Sequence, residues 1–450
     1  MSQASTDELR ARIAVLMPEI IEELKEMVAI PSVSFPGFPK DPVLQMAQRC
    51  VDAFARYGVQ ASLVEIPDGY PAVWAEIPGP AGAPTVLMYG HYDVQPAPME
   101  QGWDADPFVP VEADGRIFGR GAADDKSGIA MHLATLAAFD GHPPVNVTVC
   151  LEGEEETVSH LEAFVAAHPE RFQADAMLIG DMGNLVVGEP VLSTGLRGHV
   201  KAIIEVRTLT APVHSGLFGG AAPDALMTLI KVLARLTDDQ GSCIVPGIAT
   251  GDWEGAEFSE DMLRANAGVV AGADLIGTGS ISSRLWSKPS ISVLGIDAPS
   301  VAEGANVLQP SARAVVAMRI PPGQDPDDAM AKLIGFLRAQ VPGNAQVTIT
   351  PNKKSPPFAQ GTDGPAVTRM RTALEAAYGT EVKTIGSGGS IPLLDELRKA
   401  CPSADFVLIG AEDMEKARIH GPNESVDPTE IANMALAQAL LLQMLAAGNE

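Results

Sequence analysis

Three short apolar runs in this chain each stop at a residue able to bind a metal ion or move a proton. TVLMYG (85–90) leads into His91, VNVTVCL (145–151) into EGEEE (152–156), and AMLIG (176–180) into Asp181. A fourth run, AVWAEI (72–77), has the same character. Such runs, rich in β-branched residues and bounded by Gly, Pro or Asp, read as strands. Helical stretches such as 128–139 lie among them, so the pattern predicts an α/β sheet covered by helices. In open α/β sheets polar groups collect at the carboxyl ends of strands, where loops converge over a rigid floor. One sheet is thus expected to bring His91, Glu156 and Asp181 together.

A chain of 450 residues exceeds what one hydrophobic core usually covers, which predicts two domains. The character changes after Gly198: HVKAIIEVRT, a helix over 223–236, SISVLGI, ARAVVAMRI and a helix over 326–339 follow in turn. Asp325 is the expected cap of that last helix, with proline at its first position. The order fits a small α+β domain over 198–354, inserted between two parts of a larger domain, 1–197 and 355–450. The closing part holds DFVLIG, the loop IHGPNESV and a helix from Pro428 capped by Asp427. An amphipathic helix over 6–29, ended by Pro31, is expected near the start.

Lys and Arg number 31 against 57 Asp and Glu, a net charge of −26, which argues against nucleic acid or anionic lipid as a partner. Charged residues interrupt every apolar stretch of MSQASTDELRARIAVLMPEI, so neither a signal peptide nor a membrane span is expected, and the cytoplasm is the expected location. Cys50, Cys150, Cys243 and Cys401 are far apart, form no CxxC pair and read as structural thiols.

Five segments carry the candidate chemistry. In His91-Tyr92-Asp93 the first and third side chains of an extended segment point the same way, so Asp93 is placed to support the His91 ring. GRGAADDKSG (119–128) sets Asp124 and Asp125 among small residues just before a helix. These carboxylates also suit a helix N-terminus, whereas a phosphate loop is disfavoured because GxxxxGK[ST] and GxGxxG are absent. The EGEEE cluster would repel itself if buried without cations. Beside divalent ions, one glutamate can ligate while its neighbour moves a proton. His214 in VHSGLFGG and His420 in IHGPNES each lie in small, turn-rich surroundings. Singly, every one of these segments has an ordinary structural reading. Glu156 and His160 have helical ligand spacing, but HExxH is absent.

Taken in order, YGHYDVQP, GRGAADDKSG, LEGEEE, IGD, VHSGLFGG, GGSIP and IHGPNE resemble the motif set of the dinuclear-zinc metallopeptidases that include carnosinase and cytosolic nonspecific dipeptidase. Aminoacylase, carboxypeptidase G and succinyl-diaminopimelate desuccinylase are more distant members. The resemblance runs from about residue 20 to the C-terminus. It implies a catalytic domain with a central mixed sheet flanked by helices, plus an inserted α+β lid and dimerisation domain.

By that resemblance, His91, Asp124 and Asp181 hold one ion and Asp124, Glu156 and His420 the other. The ions are implied to be zinc, with manganese or cobalt as alternatives. Glu155 is implied to be the general base, Asp93 the support of His91, and His214 a group that acts across a homodimer on the oxyanion. Arg319, Asn306, Gly389 and Ser390 resemble regions that grip the substrate carboxylate and backbone. Asp181 in place of glutamate leans toward dipeptidases, with an N-acyl amino acid deacylase or carboxypeptidase, or a non-catalytic metal-stabilised scaffold, as alternatives. At Lys126-Ser127-Gly128 the chain departs from relatives in which Gly follows Lys directly, which puts the geometry of that turn in question.

Overall fold

The computed structural model describes residues 4–448. Its core is a nine-stranded mixed sheet, in which Thr85–His91 lies between Asn146–Glu152 and Ala176–Ile179, parallel to both. Buried on both faces, this central strand is apolar from Val86 to Gly90 rather than alternating. Val86 and Met88 point into one core and Leu87 and Tyr89 into the other, as the two-residue period of a strand requires.

The first core is roofed by the helices Thr6–Val28, Asp41–Arg56, Lys126–Ala137, Pro365–Tyr378 and Pro428–Ala446. Ser5 and Glu8 form a reciprocal capping box at the start of Thr6–Val28. The last helix is long and apolar enough to cross a membrane, but most of it is buried inside the protein. Its N-terminus is capped by Asp427, as expected from sequence. The second core lies under the shorter helices Leu161–Ala167 and Leu393–Ala400.

A separate four-stranded antiparallel sheet is ordered Ser290–Asp297, Ser311–Ile320, Gly198–Arg207, Gln346–Ser355. One face is packed by the helices Ala225–Leu233 and Pro326–Gln340. The second of these starts at Pro326 with Asp325 capping the N–H of Asp328 at 2.7 Å. The opposite face of the sheet has no helix among those core residues and carries His199, Lys201 and Arg319. Part of the segment between these strands packs elsewhere: Trp253, Phe258 and Trp286 cluster with Val191 and Ile385 of the large sheet. A backbone hydrogen bond from Ala256 N–H to Thr384 O, 2.8 Å, fixes it there.

Candidate metal centre

His91 ends its strand at the carboxyl edge of the sheet and is wholly buried. Its backbone N–H donates to Asp125 Oδ2 at 3.0 Å, and its ring Nδ1 lies 3.1 Å from the Asp93 carbonyl and 3.4 Å from Asp93 Oδ1. The other ring nitrogen, Nε2, is thereby turned toward Asp124 Oδ1 at 2.9 Å and Asp181 Oδ1 at 3.8 Å. Asp93 is itself held by the Ser34 hydroxyl at 2.7 Å and by the N–H groups of Glu155 and Glu156 at 3.1 and 3.2 Å. One carboxylate thus locks the histidine ring and the acidic loop into a single unit.

Asp124 reaches the site from a loop whose backbone is clamped by Glu424. Glu424 Oε1 accepts the N–H of Ala123 and Asp124, while Oε2 accepts from Arg120 Nη1 at 2.5 Å. The Asp124–Asp125 peptide is cis. The buried Asp125 carboxylate lies against Gly90 and Gly128, where an added Cβ would come within 2.7 and 2.1 Å of its oxygens. Glycine at 128 is therefore required by close approach, and the extra Ser127 before it bonds Ala123 O at 2.6 Å.

His420 comes from a tight turn in which Arg418, His420 and Asn423 all take left-handed φ values, 53°, 61° and 60°. Non-glycine residues adopt this region uncommonly. Here it puts His420 Nε2 2.9 Å from Asp124 Oδ2 and 3.2 Å from Glu156 Oε2. Gln95 Nε2 donates to the same Glu156 oxygen at 2.6 Å. The His420 side chain is 53% exposed against 8% for Asp124, so the centre is open on that side.

Two ligand groups result, His91–Asp124–Asp181 and Asp124–Glu156–His420, each with its donor atoms within 4.8 Å of one another. Burial and the charges of neighbouring carboxylates push Asp181, Glu155 and Glu156 upward. Burial also opposes ionisation of Asp124, but His420 and His91 pull it well below the usual carboxylate range. For both imidazoles burial opposes protonation, yet the surrounding carboxylates reverse this, raising His91 well above its ordinary value and His420 to about 11. The donor set thus demands positive charge, and imidazole nitrogens with carboxylate oxygens are the ligands that first-row divalent cations accept. Two ions fit these residues, with Asp124 common to both groups.

Glu155 is adjacent to this set but belongs to neither group. The other candidates lie elsewhere. His214 is exposed on a two-stranded ribbon in which it pairs with Val307, and Asn306 O accepts the N–H of Ser215 next to it. Gly216 N–H donates to His214 Nδ1 at 3.0 Å, which leaves the proton on Nε2. Arg319 is on the small sheet opposite His199, and Ser390 Oγ is 3.4 Å from His199 Nδ1. Gly389 N–H donates to Ser387 Oγ at 3.1 Å. Among the described residues, none of these side chains is hydrogen-bonded to the two ligand groups. Sequence reasoning did not single out Glu424, Ser34 or Gln95, and gave Asp125 no role beyond a helix N-terminus. Glu424 lay inside the IHGPNE block, but nothing in its spacing signalled a contact with Asp124.

Residues 87–446 match the profile of Peptidase family M20/M25/M40. The chain belongs to this family. The resemblance read from its seven motifs, toward the dipeptidase branch, is therefore upheld. Among M20 relatives, it is 40% identical over 368 residues to the cysteinylglycine-S-conjugate dipeptidase of Corynebacterium striatum, covering 80% of this chain and 81% of that protein. It is 27% identical to the beta-Ala-His dipeptidase of Homo sapiens, covering 95% and 90% respectively. Its fold superposes on the di-peptidase Dug1p of Saccharomyces cerevisiae with a TM-score of 0.83 at 25% identity, over 99% of both chains. Human carnosine dipeptidase 1 gives 0.81 at 26% identity, over 99% of this chain and 100% of the other. The α/β architecture expected from sequence, with its central mixed sheet, is thus the fold of an M20 peptidase.

Proposed function

We propose that this M20 peptidase is a metal-dependent dipeptidase with Glu155 as its general base. The observation that carries the reading is the pair of ligand groups sharing Asp124, with Glu155 held beside Glu156 yet outside both. Bound there, two divalent ions would supply Lewis-acid activation of water and of the scissile carbonyl. The Glu155 carboxylate takes the proton from the attacking water and returns it to the leaving amine. Asp93 keeps the His91 ring aimed at its ion, and Asp124 is the shared ligand. Zinc is the proposed metal, on the chemistry of the mixed histidine and carboxylate donors.

Arg319, with Asn306, Gly389 and Ser390, is proposed to grip the carboxylate and backbone of the substrate. His214 is proposed to act from a second copy of the chain, donating its Nε2–H to the oxyanion. Two features support a homodimer. His214 lies off the ligand groups of its own chain, and the edge strand Ser290–Asp297 exposes Val293, Leu294 and Ile296. A cytoplasmic location is supported by the four free thiols, Cys50, Cys150, Cys243 and Cys401.

The test is hydrolysis of a dipeptide panel beside an N-acyl amino acid panel, with zinc, manganese or cobalt supplied. Metal-dependent turnover of dipeptides is expected. Turnover confined to N-acyl amino acids, or none with any metal, would overturn the reading.

A further inference from the structure

In a chain of net charge −26, one stripe of the small sheet gathers lysine and arginine side chains with no carboxylate among them. The strand register sets Arg319 directly opposite His199, with Ser290 and Ser355 completing the row across the four strands. Two residues along, on the same face, Lys201 sits opposite Lys353, with Ala317 on its other side. Arg197 precedes His199 by two positions and turns its Nη1 to the Ser290 hydroxyl at 3.2 Å.

None of Arg197, Lys201, Arg319 and Lys353 forms an ion pair with a carboxylate among the described residues. The stripe raises its own electrostatic cost. Burial and then the charge of Arg319 lower Arg197, while burial followed by Arg319, Lys201 and Lys353 pushes His199 down to about 4. Glu162, on the helix Leu161–Ala167, feels the charge of Lys353 without pairing with it. Farther along the same face Glu205 meets Arg313 instead.

Besides Ser355 Oγ, two polar atoms in the stripe have no partner among the described residues although their residues are more than nine-tenths buried: His199 Nε2 and Arg197 Nε, on residues 9% and 8% exposed. Buried donors without acceptors are costly to maintain, so an orphaned pair beside uncompensated cations marks a place where an anionic ligand completes the hydrogen bonding.

We propose that Lys201 and Lys353, with His199, form a subsite for a second carboxylate next to the one that Arg319 holds, making dipeptides with a C-terminal Glu or Asp the preferred substrates. The proposal rests on the dipeptidase reading and on Arg319 as the grip for the main-chain carboxylate. Two residues along an antiparallel strand span roughly 7 Å. The second carboxylate of a C-terminal glutamate stands several bonds from the main-chain one, and the long, mobile lysine stems cover the remaining distance. Lys353 is exposed and Lys201 partly so, which leaves both ammonium groups open to a ligand.

The metal-loaded enzyme is assayed with Ala-Glu and Ala-Gln, which differ only by the charge. A higher kcat/KM for Ala-Glu is expected, with the advantage residing in KM. In Lys201→Gln/Lys353→Gln the ratio of the two kcat/KM values should fall by about tenfold, the scale of two partly exposed charge pairs. It should also shrink with added salt in the unsubstituted enzyme. Equal rates for the two substrates, or an unchanged ratio in the double variant, would overturn the subsite. Calorimetric titration with N-acetyl-glutamate and N-acetyl-glutamine reads it without turnover. Selective binding of the glutamate compound by a protein that cleaves no dipeptide would sink the dipeptidase reading and keep the subsite. Indiscriminate binding by an active dipeptidase would do the reverse.

Discussion

Glu424 Oε1 accepts the backbone N–H of Asp124 at 3.0 Å, and so the residue that positions the carboxylate common to both candidate ligand groups comes from the far end of the chain. The same carboxylate is bonded to Ala123 N–H and Arg120, and His420 lies four residues before it. A single buried acid therefore sets the distance between the two loops from which Asp124 and His420 reach the centre.

Replacing Glu424 by Ala leaves Arg120 buried without its counter-charge and two N–H groups unpaired. A loss of about 3–5 kcal/mol in stability is expected, as for other broken buried pairs. Denaturant unfolding measures that loss. Titration of the apoprotein with zinc against a competing chelator should show weakened binding as well, and wild-type affinity in the variant would contradict the positioning role.

Glu155→Ala should bind two ions per chain and still lose roughly a hundred- to ten-thousandfold in kcat, the range for general acid–base transfer. Metal content by elemental analysis and steady-state kinetics separate the two effects. Near-normal turnover in this variant would remove Glu155 as the base.

Mixing inactive His214→Ala protein with inactive Glu155→Ala protein should restore partial activity once subunits exchange. Each hybrid dimer then contains one site with both groups intact. Exchange demonstrated by mass, with no recovered turnover, would count against a site shared between copies.

Stripping the ions with a chelator should lower the unfolding temperature as well as abolish activity. Ions that bind only the folded state add RT ln(1 + [L]/Kd) to its stability, about 2.7 kcal/mol at a hundredfold excess over Kd. Calorimetry with and without re-added zinc reads this directly. An identical unfolding temperature in both states would argue against the two ligand groups as the binding site.

His132 gives the protein an acid-sensitive point away from the centre. It is wholly buried, with Nε2 3.1 Å from Tyr89 O and Nδ1 3.0 Å from Gln438 Oε1, and burial holds its pKa below the ordinary value. The unfolded chain therefore takes up this proton first. Stability from His132 is complete above about pH 6.5 and is lost as the pH falls below that value. Urea midpoints at pH 7.5 and 5.5 should converge in His132→Gln relative to the unsubstituted protein. An equal pH dependence in both would rule this residue out.

Much of the fold was legible from the chain because its central strands are buried on both faces. Burial on both sides makes Thr85–His91, Asn146–Glu152 and Ala176–Ile179 mostly apolar, and whatever follows such a run stands at the sheet's carboxyl edge. His91, Glu156 and Asp181 could be grouped on that ground alone. The caps Asp325 and Asp427 were equally visible, since an N-cap is a contact among residues three or fewer positions apart. Asp124 and His420 were not visible in this way, and only the likeness of the ordered motifs to a known family tied them to the metal ligands.

What the linear order of residues settled about the three apolar runs that end at His91, Glu152 and Asp181 was local: strand type, burial and the polar residue at each end. Folding alone decided that Asp124 meets His420 across 296 positions, that Glu424 clamps the loop carrying Asp124, and that Arg319 faces His199 on the neighbouring strand of the small sheet. The physical reason is that hydrophobic periodicity records which side of an element is buried but not which distant element buries it. Hydrogen bonds and charges across such distances leave no period in the chain, and they exist only once both cores have packed.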